Sequence, residues 1–149
     1  MDVKVKYTHE DSYRLQTIKK GDWIDLVIDD DISVEAGDVV KVPLGLAIKL
    51  PDGVEAHILP RSSTFIKTGL LLANSVGVID NSYSGDDDEW CAVFYATCAS
   101  VVGRGTRLLQ FRLVDTQATM FGDINFEEVT KLDDVNRGGF GSTGSKGFN

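Results

Sequence analysis

Short runs of β-branched and aromatic residues, each closed by turn chemistry after roughly ten residues, constrain this chain more than any other feature. "VKVKY" alternates apolar and polar residues at Val3, Val5 and Tyr7. "WIDLVI" (23–28), "VVKVPLGLAIKL" (39–50), "VEAHIL" (54–59), "WCAVFYAT" (90–97) and "RLLQFRLV" (107–114) are of the same kind, and such residues suit a pleated, half-buried surface. "EAGD" (35–38), "PDG" (51–53) and "VGRG" (102–105) supply the turns. The pattern predicts an all-β sandwich or barrel. One short helix is expected over "SSTFIKTG", after Pro60, capped by Ser62 or Ser63 and ended by Gly69. A chain of 149 residues, 42% of them hydrophobic, fits one domain with a real core. Composition breaks near Val135, which divides the chain into a β domain over 1–135 and a glycine-rich tail over 136–149.

The net charge of −8 argues against nucleic acid or an anionic membrane as partner. An anionic substrate would have to be met locally, by a few arginines or a metal ion. "MDVKVKYTHED" is charged where a signal peptide is apolar, and no apolar run reaches membrane-spanning length. Cys91 and Cys98 lie seven apart in a strand-like run, so their side chains are expected on opposite faces, without a mutual disulfide. The expectation is a reduced, cytoplasmic protein.

Five stretches carry chemistry. In "GDWIDL", Asp25 sits within an apolar strand, where an inward carboxylate needs a partner such as a metal-bound water. "PRSST" sets Arg61, Ser62 and Ser63 at a strand-to-helix junction, and a guanidinium with two hydroxyls suits phosphate. "NSVGVIDNSYSGD" reads as a hairpin whose tip puts Asp80 and Tyr83 together, a candidate general base beside an aromatic. "GTRLLQ" holds Arg107 and Gln110, which strand parity assigns to different faces. The tail, "NRGGFGSTGSKGFN", has Gly139 and Gly144 at P-loop spacing, but Ser145-Lys146 is reversed and only three residues follow Lys146. No helix can complete a phosphate loop there.

Together, and in this order, these stretches resemble the five motifs of the trimeric dUTPase family, which hydrolyses dUTP to dUMP and pyrophosphate. The resemblance runs from about Gly21 to Gly144, with "GVIDNSY" and "RGGFGSTG" its most specific parts. "GDWIDL" departs from the family's usual Ala-Gly-x-Asp-Leu. The resemblance implies a β jelly roll (a β-clip barrel) assembled as a homotrimer, with sites shared between subunits. It implies Mg²⁺, held by Asp25 through water. Asp80 would be the general base, and Gln110 and Arg137 would share the catalytic work. Arg61, Ser62, Ser63 and Arg107 would bind phosphate. Asn74, Gly77 and Val78 would read the uracil edge, with Tyr83 against the sugar. Phe140, Gly141, Ser142 and Thr143 would close over the nucleotide as a mobile lid.

Two other readings remain at this point. The related dCTP deaminases share the fold, but they lack the Asp-x-x-Tyr hairpin and the Gly-Phe-Gly-Ser-Thr-Gly tail. The other is a regulatory module. Some phage-borne members of the family bind protein partners through inserts, and the acidic "GDDDEW" at 85–90 could be such a surface as well as a solvated loop.

Overall fold

A computed structural model describes residues 1–16 and 20–147; the last two residues of the tail, Phe148 and Asn149, lie outside the described residues. In chain order the elements are β1 (Lys4–Tyr7), β2 (Ile24–Val27), β3 (Ile32–Val34), β4 (Val39–Pro43), β5 (Leu46–Lys49), β6 (Val54–Pro60), α1 (Thr64–Thr68), β7 (Leu70–Leu72), β8 (Gly77–Ile79), β9 (Cys91–Ala96), β10 (Ser100–Val102), β11 (Arg107–Asp115) and α2 (Gln117–Phe121). The strands form a four-stranded sheet, β2-β11-β6-β8, a three-stranded sheet, β4-β9-β7, and two pairs, β1-β5 and β10-β3. Every pairing is antiparallel. The all-β expectation holds, and a jelly-roll arrangement fits these sheets.

Alternation along the strands builds one core. Ala92, Phe94 and Ala96 of β9 point inward, as do Val54, Ala56 and Ile58 of β6, while Tyr95, Glu55 and His57 face outward. Ala56, Ile58, Ala92, Phe94 and Ala96 join Leu26, Leu70, Leu109 and Phe111 in a single apolar cluster drawn from both larger sheets. Trp90 is 0% exposed, and its ring meets Phe111 edge-on at 5.1 Å and 87°. No protein atom accepts a hydrogen bond from its indole Nε1 among the described residues.

The structure corrects the sequence reading in three places. The run 39–50 is two strands, because Gly45 takes a positive φ of 76° and β4 and β5 join different sheets. The segment 74–83 is not a hairpin closed on itself. β8 pairs with β6, with Ile58 opposite Gly77, while β7 pairs with β9. The chain therefore steps from one sheet to the other between Leu72 and Gly77. A second short helix, α2, follows β11: Thr116 caps it by accepting a bond from the backbone N–H of Thr119, and the Thr119 hydroxyl donates to the Gly53 carbonyl. For α1, Ser63 stands at the N-cap without a side-chain cap bond, and Gly69 ends the helix at φ 69° as expected. Both cysteines are free, as expected.

The buried Trp90–Phe111 contact yields a stability prediction. Trp90→Ala should cost about 3–5 kcal/mol by emptying the centre of the core. Trp90→Phe should cost roughly half of that or less, since it keeps an aromatic ring and removes an unpaired donor. Urea denaturation of both variants measures the difference; equal losses would mean that Nε1 has a partner in solution.

Candidate active site

The site begins with β11, which pairs with β2 on one side and β6 on the other. Gln110 stands opposite Asp25 and Leu59. Between Arg107 and Leu109 the register against β2 shifts, so Leu108 is an extra residue, a β-bulge. The bulge resets side-chain parity. Leu108 and Leu109 both enter the core, at 2% and 0% exposure, and Arg107 swings to the side where Asp25 lies. The expectation that Arg107 and Gln110 serve different faces is thus overturned. The two adjacent leucines in an otherwise alternating strand were the signal for it.

Asp25 pairs with two arginines from two other elements. Its Oδ1 is 3.2 Å from Arg61 Nε and its Oδ2 is 3.4 Å from Arg107 Nη1. Arg61 Nη1 also donates to the Arg107 carbonyl at 3.2 Å. Arg61 follows β6 directly, and its backbone N–H donates to the Leu108 carbonyl. Thr64, buried at the start of α1, donates to that same carbonyl at 2.6 Å. The junction of β6 and α1 is thereby fixed to the bulge, which holds Ser62 exposed and Ser63 half-buried beside the arginines. Gln110 Nε2 donates to the Pro60 carbonyl at 3.1 Å, which leaves its amide oxygen unengaged among the described residues. Asp25, Arg61, Ser62, Ser63, Arg107 and Gln110 are therefore one cluster. A pocket of about 440 Å³ opens from Asp25 and Arg107 and is walled by Tyr13, Arg14, Gln16, Val27 and Gly105. The N-terminal wall was not foreseen; no periodic pattern marks residues 8–16.

The second group lies at the other edge of the sheet. Asp80 follows β8 and is exposed. Its Oδ1 accepts from the backbone N–H of Ser82 at 2.8 Å and from the Ser82 hydroxyl at 2.5 Å. These bonds, the side-chain one first, hold the carboxyl below the ordinary aspartate range. The Asp80 carbonyl accepts from the Tyr83 N–H at 2.9 Å, so one tight turn presents both side chains. The Tyr83 hydroxyl donates to the Glu89 carbonyl at 2.9 Å, and burial, then Asp88, pushes its ionisation up. Gly77 sits where a Cβ would meet Ile58 Cβ at 3.1 Å, so β8 lies close on β6 because it lacks a side chain there. Asn74, Val78 and Asp80 are exposed along this edge. The acidic stretch is tied down: Lys6 Nζ donates to the Asp86 carbonyl and the Thr8 hydroxyl to Glu89 Oε1. The loop thus braces Tyr83 against β1.

The two groups do not meet within one chain. Asp80 continues β8 to the level of Val114, and Asp25 lies opposite Gln110, four residues away along β11 and three strands across. At ordinary strand spacings that separates the carboxylates by roughly 20 Å. The tail residues Arg137, Phe140, Gly141, Ser142 and Thr143 touch neither group; residues 122–147 carry no strand or helix and are exposed throughout.

The family model described as dUTPase matches residues 23–144. The chain is 41% identical over 146 residues, 98% of its length and all of the relative's, to an SPbeta prophage-derived deoxyuridine 5'-triphosphate nucleotidohydrolase of Bacillus subtilis. Among solved structures it is similar to the dUTPase from Streptococcus mutans, with a TM-score of 0.65 and 25% identity over 77% of this chain and 95% of that one. A mutant of the Staphylococcus bacteriophage 80alpha dUTPase with dUpNHpp matches in fold, with a TM-score of 0.76 at 16% identity over 97% of this chain and 99% of that one.

The Asp80–Ser82 contact can be read by titration. The Asp80 carboxyl, followed by carbon-13 NMR, should titrate below the ordinary aspartate value. Ser82→Ala removes the larger of the two causes and should move the midpoint up towards that value. An unchanged midpoint would show that the serine hydroxyl does not hold the charge.

Proposed function

The chain belongs to the dUTPase family, and we propose that it hydrolyses dUTP to dUMP and pyrophosphate. The observation that carries this reading is the intact turn from Asp80 to Tyr83, with one carboxylate oxygen bonded to Ser82 and the other left to accept a proton. A base for a water nucleophile has to be ionised at neutral pH, and the Ser82 bonds favour the ionised form. The attacking water gives its proton to Asp80 as its oxygen bonds to the α-phosphorus, and the bond to the pyrophosphate oxygen breaks in line. Arg61, Ser62, Ser63, Arg107 and, from the tail, Arg137 offset the phosphate charge, most strongly as it builds on the leaving group. The free amide oxygen of Gln110 orients water.

Base and sugar selection fall to the other edge. Backbone groups around Asn74, Gly77 and Val78 match the edge of uracil, and cytosine would leave buried groups there unpaired. Tyr83 packs against the sugar and leaves no room for a ribose 2′-hydroxyl. The residues also fit Mg²⁺. Magnesium keeps several waters and uses one or two carboxylates with substrate phosphates, so it needs no protein cage, and among the described residues Asp25 is the carboxylate that both arginines share. Asp25 would hold the ion through water, and the ion would offset triphosphate charge when bound.

A separation of roughly 20 Å between Asp80 and Asp25 supports a site completed between copies of the chain, in a homotrimer. The exposed segment 136–147 is long enough to leave its own subunit, since twelve extended residues reach up to about 40 Å. We take 136–149 as a lid: Phe140 stacks on uracil, and Gly141, Ser142 and Thr143 close on the phosphates.

Pyrophosphate release with Mg²⁺, compared across dUTP, dTTP, dCTP and UTP, tests the assignment, and dUTP alone should be a good substrate. Asp80→Asn should lower kcat at least about a hundredfold with dUTP binding kept; turnover near that of the wild type would remove Asp80 from the role of base. A chain ending at Val135 keeps every strand found among the described residues, so it should assemble as before yet lose nearly all hydrolysis. Full-rate turnover by that truncated protein would make the tail a plain terminus.

A further inference from the structure

The pocket beside Asp25 has an N-terminal wall that none of the five motif stretches supplies. That wall is fixed in place. Arg104 donates to Asp29 Oδ1 at 2.9 Å and reaches Asp11 at 3.2 Å, pinning residue 11 to the loop before β11. Tyr13 lies on Gly105, where a Cβ would come within 2.5 Å of its ring, so the close approach depends on the glycine. The Leu15 N–H donates to the Tyr7 hydroxyl at 2.9 Å. Between these anchors, the Arg14 guanidinium lies over the Tyr7 ring, 4.2 Å from its centre, and donates to the carbonyls of Ser12 and Glu10.

Those carbonyls orient the guanidinium without neutralising it. Among the described residues Arg14 has no carboxylate partner, whereas Arg61 and Arg107 share Asp25. Two guanidinium groups, Arg14 and Arg107, thus line this pocket against one carboxylate, Asp25, which Arg61 also pairs with from outside the lining, a local excess of positive charge in a chain whose net charge is −8. Such an excess draws in an anion. Asp25 and Arg107 line the pocket while Arg61 and Ser62 do not, so the pocket adjoins the arginine cluster through Arg107. A guanidinium already held over an aromatic ring and bonded to two carbonyls loses little freedom when it binds phosphate.

We propose that Arg14 is a further substrate-binding residue, which takes the distal phosphates of the nucleoside triphosphate and so favours a triphosphate over shorter chains. The proposal rests on the functional reading above, but its test does not depend on turnover. Inorganic tripolyphosphate is titrated into the wild-type chain, Arg14→Gln and Arg14→Lys in a calorimeter. Arg14→Gln should bind about tenfold more weakly, the scale of one charge-assisted contact. Arg14→Lys keeps the charge and should recover most of that loss. In dUTP hydrolysis, Arg14→Gln should raise KM about tenfold with kcat within about twofold, and dUMP inhibition should not change. Equal tripolyphosphate affinity in wild type and Arg14→Gln, including none in either, overturns the proposal. So does an Arg14→Lys variant as weak as Arg14→Gln, which would make the role of Arg14 structural. Failure of the wild-type chain to hydrolyse dUTP would sink the functional reading instead, and the titration would still report on Arg14.

Discussion

The bulge in β11 is the constraint on which the rest of the site depends. A strand of strict alternation would bury either Leu108 or Leu109 and send Arg107 away from Gln110. One inserted residue lets both leucines reach the core and brings Arg107 round to Asp25. The carbonyl of Leu108, in the bulge itself, then accepts from the Arg61 N–H and from the buried Thr64 hydroxyl. The same irregularity therefore sets the angle at which β6 gives way to α1, and with it the position of Ser62 and Ser63.

Electrostatics at this cluster concern position more than stability. Asp25 keeps 27% of its side-chain exposure and Arg107 keeps 61%, so their pairing contributes little to folding in salt. Its effect is to hold two guanidinium groups in place, with donors to spare. If the cluster meets phosphate as proposed, a preorganised array of this kind would not need to reorient as charge develops on the leaving group. The cluster sets two guanidinium groups against one carboxylate in a chain whose net charge is −8, so its local charge opposes that of the whole.

Much of this was readable in the sequence. Alternating runs and turn residues give the all-β class, and Gly69 marks the end of α1. The Asp80–Tyr83 turn follows from its own chemistry, since Asp80 bonds two residues on to Ser82 in the usual way of turn aspartates. What escaped was non-local. Parity rules fail at a bulge, and strand partnership is decided by the whole fold, so a segment with hairpin composition at 74–83 instead bridges two sheets. The wall at Tyr13 and Arg14 depends on Arg104, some ninety residues later in the chain. No local pattern records such a contact.

The distance between Asp80 and the arginine cluster has a consequence for inheritance. If a working site takes its carboxylate base from one chain and its phosphate donors from another, a lesion at Asp80 and a lesion at Arg61 strike different halves of the same site. Two chains that each carry one of these lesions can then pool their intact halves when they assemble, and some sites in the mixture are whole. A single chain carrying both lesions has nothing to lend. Activity in a mixed population would follow the statistics of assembly, so that two inactive alleles together could show what neither shows alone.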